Sequence, residues 1–568
     1  MSILTLSPTS ALERAEVTVA GTSFGKRRTV YLSIDGTTEQ TFRSGRTGKF
    51  TRVILAPAGA GGHALSARDT LGNTAQATLT VTVIVAPPAP ASPAAGRVDT
   101  PRATGRVTAA VVGSSTSLVT AGLGAMLLAG LLIAGMALQV QAMVLASSAA
   151  ILLAAVVAPY VGLLIAALLA VLRQPDGVPP PGLAILLTGA ILLGWVYRLP
   201  IDRPRLRVTL PLALLGGYEL YTFAQQLPEL AGGYSGDLGH VVGYQFLQLS
   251  GSFGLILAAA LVLPGRDPRP VVAAVIGSAV LAAALGIISD VSVPLPPLLV
   301  GLVVADEFGI RAIGTFANPN YFGFVEALAA TAALAWASVA ESPRLRAALL
   351  LAAATCAGAL VFTLSRGGIV TLLGGLSVLA FVRYRRAGVL ALIAILIGFG
   401  LLYPVLAQYR LGSNGNSPSA EALQQQDESD RERAAAVLAG PQIWATSPLF
   451  GVGFGHYSFV SARFSGNLGA TAAHNGYLNV LAEQGLVGTL LWLPALLAVA
   501  LALRRRPAEP RILGLSVLLA FAVGSLFLES ADSFQSSALP ILVITAALAA
   551  SWESGPRGDA PAAAGAAP

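Results

Sequence analysis

Two kinds of periodicity divide the chain. Over residues 1–85 apolar and polar positions alternate, in Val17 and Val19, in Val30, Leu32 and Ile34, in Val53 and Leu55, and in Leu79, Val81 and Val83. A period of two lines one face of a strand. Asp35-Gly36 and Gly72-Asn73 stand between runs, where a tight turn needs positive φ. A small N-terminal β-sandwich over 1–85 is predicted. From about 115 onward long apolar runs take over, near 115–137, 144–172, 182–198, 208–226, 243–263, 271–289, 321–340, 346–364, 367–382, 387–406, 476–503, 512–528 and 537–551. At roughly 20 residues per crossing they predict about 13 spans, in a range of about 12–14, and so a mainly α, polytopic helical membrane domain over 115–551. Between the two parts, 86–114 opens with "APPAPASPAAGR" and has no period, which predicts an extended linker. The last stretch, 552–568, is rich in Ala, Gly and Pro and is expected to be disordered; its Arg557-Gly558-Asp559 is read as chance.

Composition agrees with this division. A hydrophobic share of 55%, a charged share of 11% and a mean hydropathy of +0.72 are those of an integral membrane protein. The net charge of +7 does not indicate nucleic acid, because the arginines sit between apolar runs instead of clustering with aromatics on a soluble face. Cys356 is the only cysteine, which excludes an internal disulfide and a cysteine-built metal site.

The arginines also set orientation. Arg198 to Arg207, Arg266 and Arg269, Arg344 and Arg346, Arg383 to Arg386, and Arg504 to Arg511 fall on one side, which is expected to be cytoplasmic. The opposite side then carries 290–320, the Ser365-Arg366 corner and a large extracytoplasmic loop over 407–473. An odd span count places the β module outside, whereas Arg97, Arg102 and Arg106 beside the first run favour the inside. A split or re-entrant 144–172 segment, containing Pro159, would reconcile the two, and the β module is expected outside.

Cations on the outward side have no topological reason to be there. Arg311, Arg366, Arg431 and Arg433 stand there, and guanidinium offers paired hydrogen bonds matched to phosphate oxygens. They point to an anionic substrate, with pairing to Asp306, Glu307, Asp427, Glu428, Asp430 or Glu432 as the structural alternative. His474 and Asn475 lie where the outer loop meets the span near 476, so an imidazole there can take a proton from a hydroxyl at headgroup level. The alternative is a helix-start histidine. In "GTFANPNYFGF", Asn318 or Asn320 is suited to cap the following helix, and the same turn would hold Arg311 at a cavity mouth. His63, His240 and His456 lack comparable surroundings. "GVGFGHY" follows no strand and has no lysine, so it is expected to be a compact turn in the outer loop and not a nucleotide loop.

In order, "RAIGTFANPNYFGF", "LSRGG", "RERAAAVLAGPQIWATSPLFGVGFGHY" and "HNGYLNVLAEQGLVG" resemble the O-antigen ligase and O-antigen polymerase superfamily of bacterial envelope glycosyltransferases. The N-terminal pattern resembles bacterial immunoglobulin-like modules. The first resemblance implies a GT-C-like enzyme of the plasma (inner) membrane with its active site on the extracytoplasmic face. It would move a glycan from an undecaprenyl-pyrophosphate-type donor to a hydroxyl of a glycan, lipid or protein acceptor, without a metal or other cofactor. By similarity His474 is the general base, Arg311 and Arg433 bind the departing pyrophosphate, and Arg366, Arg431, Asn318, Asn320, Asn475 and Tyr477 contact substrate. The rival expectation is a transporter or flippase for an anionic or lipid-linked glycan, which many spans and outward cations would also suit.

Overall fold

A computed structural model of the chain describes residues 3–82 apart from several turns, then 141–172, 182–202, 208–290 without 234–235, 311–390 without 317, 420–465, 472–529 and 533–549, with a few isolated positions. The expected linker, most of the runs near 115–137 and 387–406, the start of the outer loop, Asp306 and Glu307, and the C-terminal tail lie outside the described residues. Two compact units emerge, residues 1–104 and 105–568.

The described residues of the first unit form eight strands: β1 (Ile3–Ser7), β2 (Ser10–Leu12), β3 (Glu16–Thr22), β4 (Thr29–Ile34), β5 (Thr37–Arg43), β6 (Phe50–Leu55), β7 (Gly61–Asp69) and β8 (Thr74–Thr82). One sheet has the order β1-β3-β6 and the other β2-β8-β7-β4-β5. All pairings are antiparallel except β2 with β8, where Ser10 stands opposite Thr80 and Leu12 opposite Thr82. Leu4, Val19 and Phe50 of the first sheet share one core with Val30, Leu32, Ile34 and Leu65 of the second. The alternation in β4 is therefore the core-facing set, and Asp35 turns the β4–β5 hairpin at φ 50°. Its Oδ2 lies 2.6 Å from His63 Nδ1, and its Oδ1 accepts the N–H of Ala64 at 2.8 Å. The hydrogen bond from His63, and next that from Ala64, holds the Asp35 carboxyl below its ordinary value.

The second unit is helical. Its described helices are α1 (Gln141–Val157), α2 (Pro159–Leu169), α3 (Gly182–Asp202), α4 (Leu210–Ala231), α5 (Gly236–Val262), α6 (Arg269–Asp290), α7 (Pro319–Ala337), α8 (Pro343–Thr363), α9 (Arg366–Val378), α10 (Ala420–Thr446), α11 (Tyr457–Ser461), α12 (Gly476–Arg504), α13 (Ala508–Gly524) and α14 (Phe534–Leu548). Among the described residues five helical stretches are long and apolar enough to cross a membrane: 239–262, 269–289, 343–363, 366–390 and 476–504. Several other predicted runs form shorter apolar helices, including α1, α2 and α14. The run 144–172 is indeed broken, at Ala158 ahead of Pro159, because a proline restricts the preceding residue and cannot donate to the ladder.

α7 lies at the centre and packs on α8, α9 and α13, while α12 packs on α4 and α10. Its interior is built from alanines and a few large side chains such as Phe322 and Phe324. Small residues let helices approach closely where lipid supplies no hydrophobic driving force between them.

Candidate active site

Helix ends and the turns beside them build the site. α8 ends on Leu364 in the left-handed conformation at φ 51°, and Ser365 then caps α9 by accepting the N–H of Gly368 at 3.1 Å. A helix end leaves carbonyls without intrahelical partners. Here the preceding loop satisfies two of them, since Ala312 N–H donates to Phe362 O at 3.1 Å and Arg311 Nε donates to Thr363 O at 2.7 Å. Arg311 Nη2 donates to Asn320 Oδ1 at 2.8 Å, so the guanidinium is held from two directions. Asn318 caps α7 through the N–H of Asn320 at 2.8 Å. The two asparagines of one turn thus divide their work, one starting the helix and the other holding the arginine.

A second corner faces this one. His474 has a left-handed φ of 49°, and Asn475 caps α12 by accepting the N–H groups of Tyr477 and Leu478, both at 3.0 Å. Such a cap stabilises a helix by about 1 kcal/mol. Gly476 N–H donates to Ser525 O at 2.7 Å and the Tyr477 hydroxyl to Ala522 O at 2.7 Å, which fastens the corner to the end of α13. The Tyr477 ring stands edge-on to Trp492 and is turned into the protein. Glu529, just beyond α13, accepts the main-chain N–H of His474 on Oε1, and its Oε2 accepts the Tyr321 hydroxyl at 3.4 Å.

Between the corners lies a cavity of about 610 Å³, lined among others by Tyr321, Tyr457, Asn479, Glu483 and Glu529. Ala473 also lines it, one residue before His474, as does Tyr321, one residue after Asn320. Glu483 is buried; its Oε1 accepts the N–H of Tyr457 at 2.8 Å and its Oε2 lies 3.4 Å from Asn479 Nδ2. The Tyr457 hydroxyl donates to Ala436 O at 2.6 Å on α10. Burial, with the charges of Glu529 and Glu483 adding to it, pushes that hydroxyl's pKa up, so it stays protonated.

α12 is interrupted beside this cavity. Gly485 has φ 62° and ψ −159°, and the loop 447–453 fills the break: Leu486 N–H donates to Pro448 O, Val487 N–H to Leu449 O, Val452 N–H to Ala482 O and Gly453 N–H to Glu483 O. A Cβ at Gly485 would stand 2.4 Å from Leu449 O, and one at Gly451 2.2 Å from the Glu483 carbonyl carbon. Only glycine fits at these two crossings. The "GVGFGHY" stretch is a turn, as expected, but one inserted into a broken helix.

The structure joins Arg311, Asn320, Tyr321, Glu529 and His474 into one connected set. Arg433 is half-buried on α10, one turn before Ala436, and α10 packs on α12. Arg366, at the start of α9, and Arg431, within α10, are exposed. Asn318, Asn475 and Tyr477 serve the local structure by the bonds given above. His240 lines the cavity, whereas His456 packs its Nε2 3.5 Å from Glu229 Oε1. Glu483, Glu529, Tyr321 and Tyr457 were not among the sequence candidates. Glu483 lies inside a quoted motif, where a carboxylate in an apolar run was the available signal; Glu529 had none, being brought in by the fold. Among the described residues no group of three or more His, Cys, Asp or Glu is placed to hold a metal ion.

No curated protein matches the chain. Residues 351–493, from within α8 through the interrupted part of α12, match the family model of the O-antigen ligases, a match that supports the resemblance to the O-antigen ligase and polymerase superfamily.

Proposed function

We propose that the chain transfers a glycan from a polyprenyl-pyrophosphate donor to an acceptor hydroxyl at the extracytoplasmic face of the plasma membrane, as an O-antigen ligase or polysaccharide polymerase. The family match supports a glycosyltransferase-type membrane protein in general. The observation that supports the finer reading is the Glu529 carboxylate, which lines the cavity and accepts both the His474 main-chain N–H and the Tyr321 hydroxyl. In this reading the acceptor hydroxyl attacks the anomeric carbon while His474 takes its proton. The bond from that carbon to the pyrophosphate oxygen breaks, and the electron pair leaves with the pyrophosphate. Arg311 and Arg433 stabilise that charge, a preorganised electrostatic role that needs no metal. The β unit would bind, space or present.

The interruption of α12 supports a second reading, a carrier of lipid-linked glycan, since transporters place broken helices at their substrate sites. Purified protein incubated with extracted polyprenyl-pyrophosphate glycan separates the two. Transfer by the wild type, lost in His474→Ala and Arg311→Ala, is expected; product length then tells polymerisation from single ligation. Movement of the donor across vesicles without transfer would favour the carrier.

A further inference from the structure

α12 changes character at its break. From Gly476 to Gly485 none of its residues is exposed. From Leu486 on, one leucine per turn is bare: Leu486, Leu490, Leu493, Leu497 and Leu501, between 37% and 66% exposed. Spacings of three and four put all five on one face. The helix from Leu486 to Arg504 rises about 27 Å, close to the roughly 30 Å of a hydrocarbon core, and it closes on Arg504, Arg505 and Arg506. This part of α12 alone therefore matches a full crossing. Beside it α4 bares Leu220, Phe223, Leu227 and Leu230 at similar spacing.

At the far end of this apolar surface from the arginines sits the tip of the 447–453 loop. Leu449 and Phe450 are 58% and 60% exposed, although they are large and apolar. Their carbonyls are the opposite, bonded within the protein. Pro448 O accepts Leu486 N–H at 3.0 Å, Leu449 O accepts Val487 N–H at 3.1 Å, and Phe450 O accepts Tyr221 Oη–H at 2.8 Å and Gln225 Nε2 at 2.7 Å. Bare apolar side chains over bonded carbonyls are what hydrocarbon demands of non-helical chain, which is tolerated at membrane depth only when its polar groups are satisfied by protein.

We propose that Leu449 and Phe450 are immersed in the acyl chains of the leaflet opposite Arg504–Arg506, as a re-entrant tip continuous with the leucine stripe of α12. The tip marks the hydrocarbon boundary. Glu483 then stands about 5 Å above it and Gly476 no more than about 15 Å above it, so the cavity opens at headgroup level. The loop that enters the bilayer is the one bonded to the main chain of Glu483, and it fixes the depth of the cavity.

Nitroxide labels test this in full-length protein reconstituted in phosphatidylethanolamine and phosphatidylglycerol vesicles. Cys356 is buried and is the only native thiol, so Leu449→Cys, Phe450→Cys, Leu490→Cys and Gln442→Cys each add a single label site. Labels at 449 and 450 are expected to behave like that at 490, open to oxygen and shielded from a water-soluble nickel chelate at least threefold relative to 442. Nickel access at 449 and 450 equal to that at 442 overturns the proposal, and so does shielding from both reagents, which would mean a protein cover such as a second copy. Should the cysteine variants fail to fold, unmodified protein irradiated with a lipid carrying a diazirine in its acyl chain gives the same answer: adducts on the 447–453 peptide support immersion, and adducts on α12 without any there exclude it.

Discussion

The carboxylate of Glu529 accepts the main-chain N–H of His474 across 55 residues of sequence. The bond falls on a residue in the left-handed region, which is uncommon for a residue other than glycine. Glu529 thereby ties the backbone at His474 to Tyr321, whose hydroxyl it also accepts. We expect Glu529→Ala to lower the transfer rate by about a hundredfold, the usual cost of an ångström-scale misplacement. Glu529→Gln, whose amide oxygen accepts the same N–H, is expected to recover most of it. Steady-state kinetics of both variants, alongside their melting temperatures, decide this; equal losses in the two would remove the geometric role.

Arg311 is held through two different nitrogens, by Thr363 O and Asn320 Oδ1. A lysine keeps the charge but not the planar fork. Arg311→Lys should therefore remain folded and lose about a hundredfold in transfer, and Asn320→Ala should lose about tenfold by loosening the guanidinium. A fully active lysine variant would show that charge alone is sufficient.

The insertion of loop 447–453 into α12 rests on Gly451 and Gly485, both at positive φ and both within 2.4 Å of neighbouring backbone at the position of a Cβ. Gly451→Ala and Gly485→Ala should each destabilise by about 2 kcal/mol or more. Gly277, within α6, meets nothing within 4 Å, and Gly277→Ala should leave stability unchanged or slightly raised. Thermal melting in detergent compares the three.

In the β unit, the partners of Asp35 hold its carboxyl below the ordinary value. A depressed acid contributes stability above its unfolded pKa of about 3.9 and loses it as pH falls through the folded value. Hydrogen exchange of the β4–β5 hairpin should accordingly accelerate in the acid range below about pH 4, after correction for the intrinsic exchange rate. Asp35→Asn should flatten that response, and an unchanged acid response would assign it to other groups.

Much of the fold could be read from the sequence where local chemistry and tertiary burial agree. Val30, Leu32 and Ile34 alternate and are buried; Asp35 turns; Asn318 and Asn475 begin helices. β5, with "TTEQTFR", could not be read this way, because an edge strand need not alternate. Arg311 and His474 stood out as polar groups at the ends of apolar runs. Glu529 did not, since its meaning lies in a contact across the fold. The run near 476–503 reads as one helix because Gly485 is tolerated in helical patterns, and what breaks it is a loop more than thirty residues earlier.

The parallel seam between β2 and β8 has a mechanical consequence. A pull that draws the chain ahead of Ser10 one way and the chain beyond Thr82 the other runs along both strands in opposite senses. The pairs Ser10–Thr80, Ala11–Val81 and Leu12–Thr82 then bear tension together instead of opening one after another. The β unit resists such extension as a shear clasp, and its yield under load is set by the shortest strand it contains.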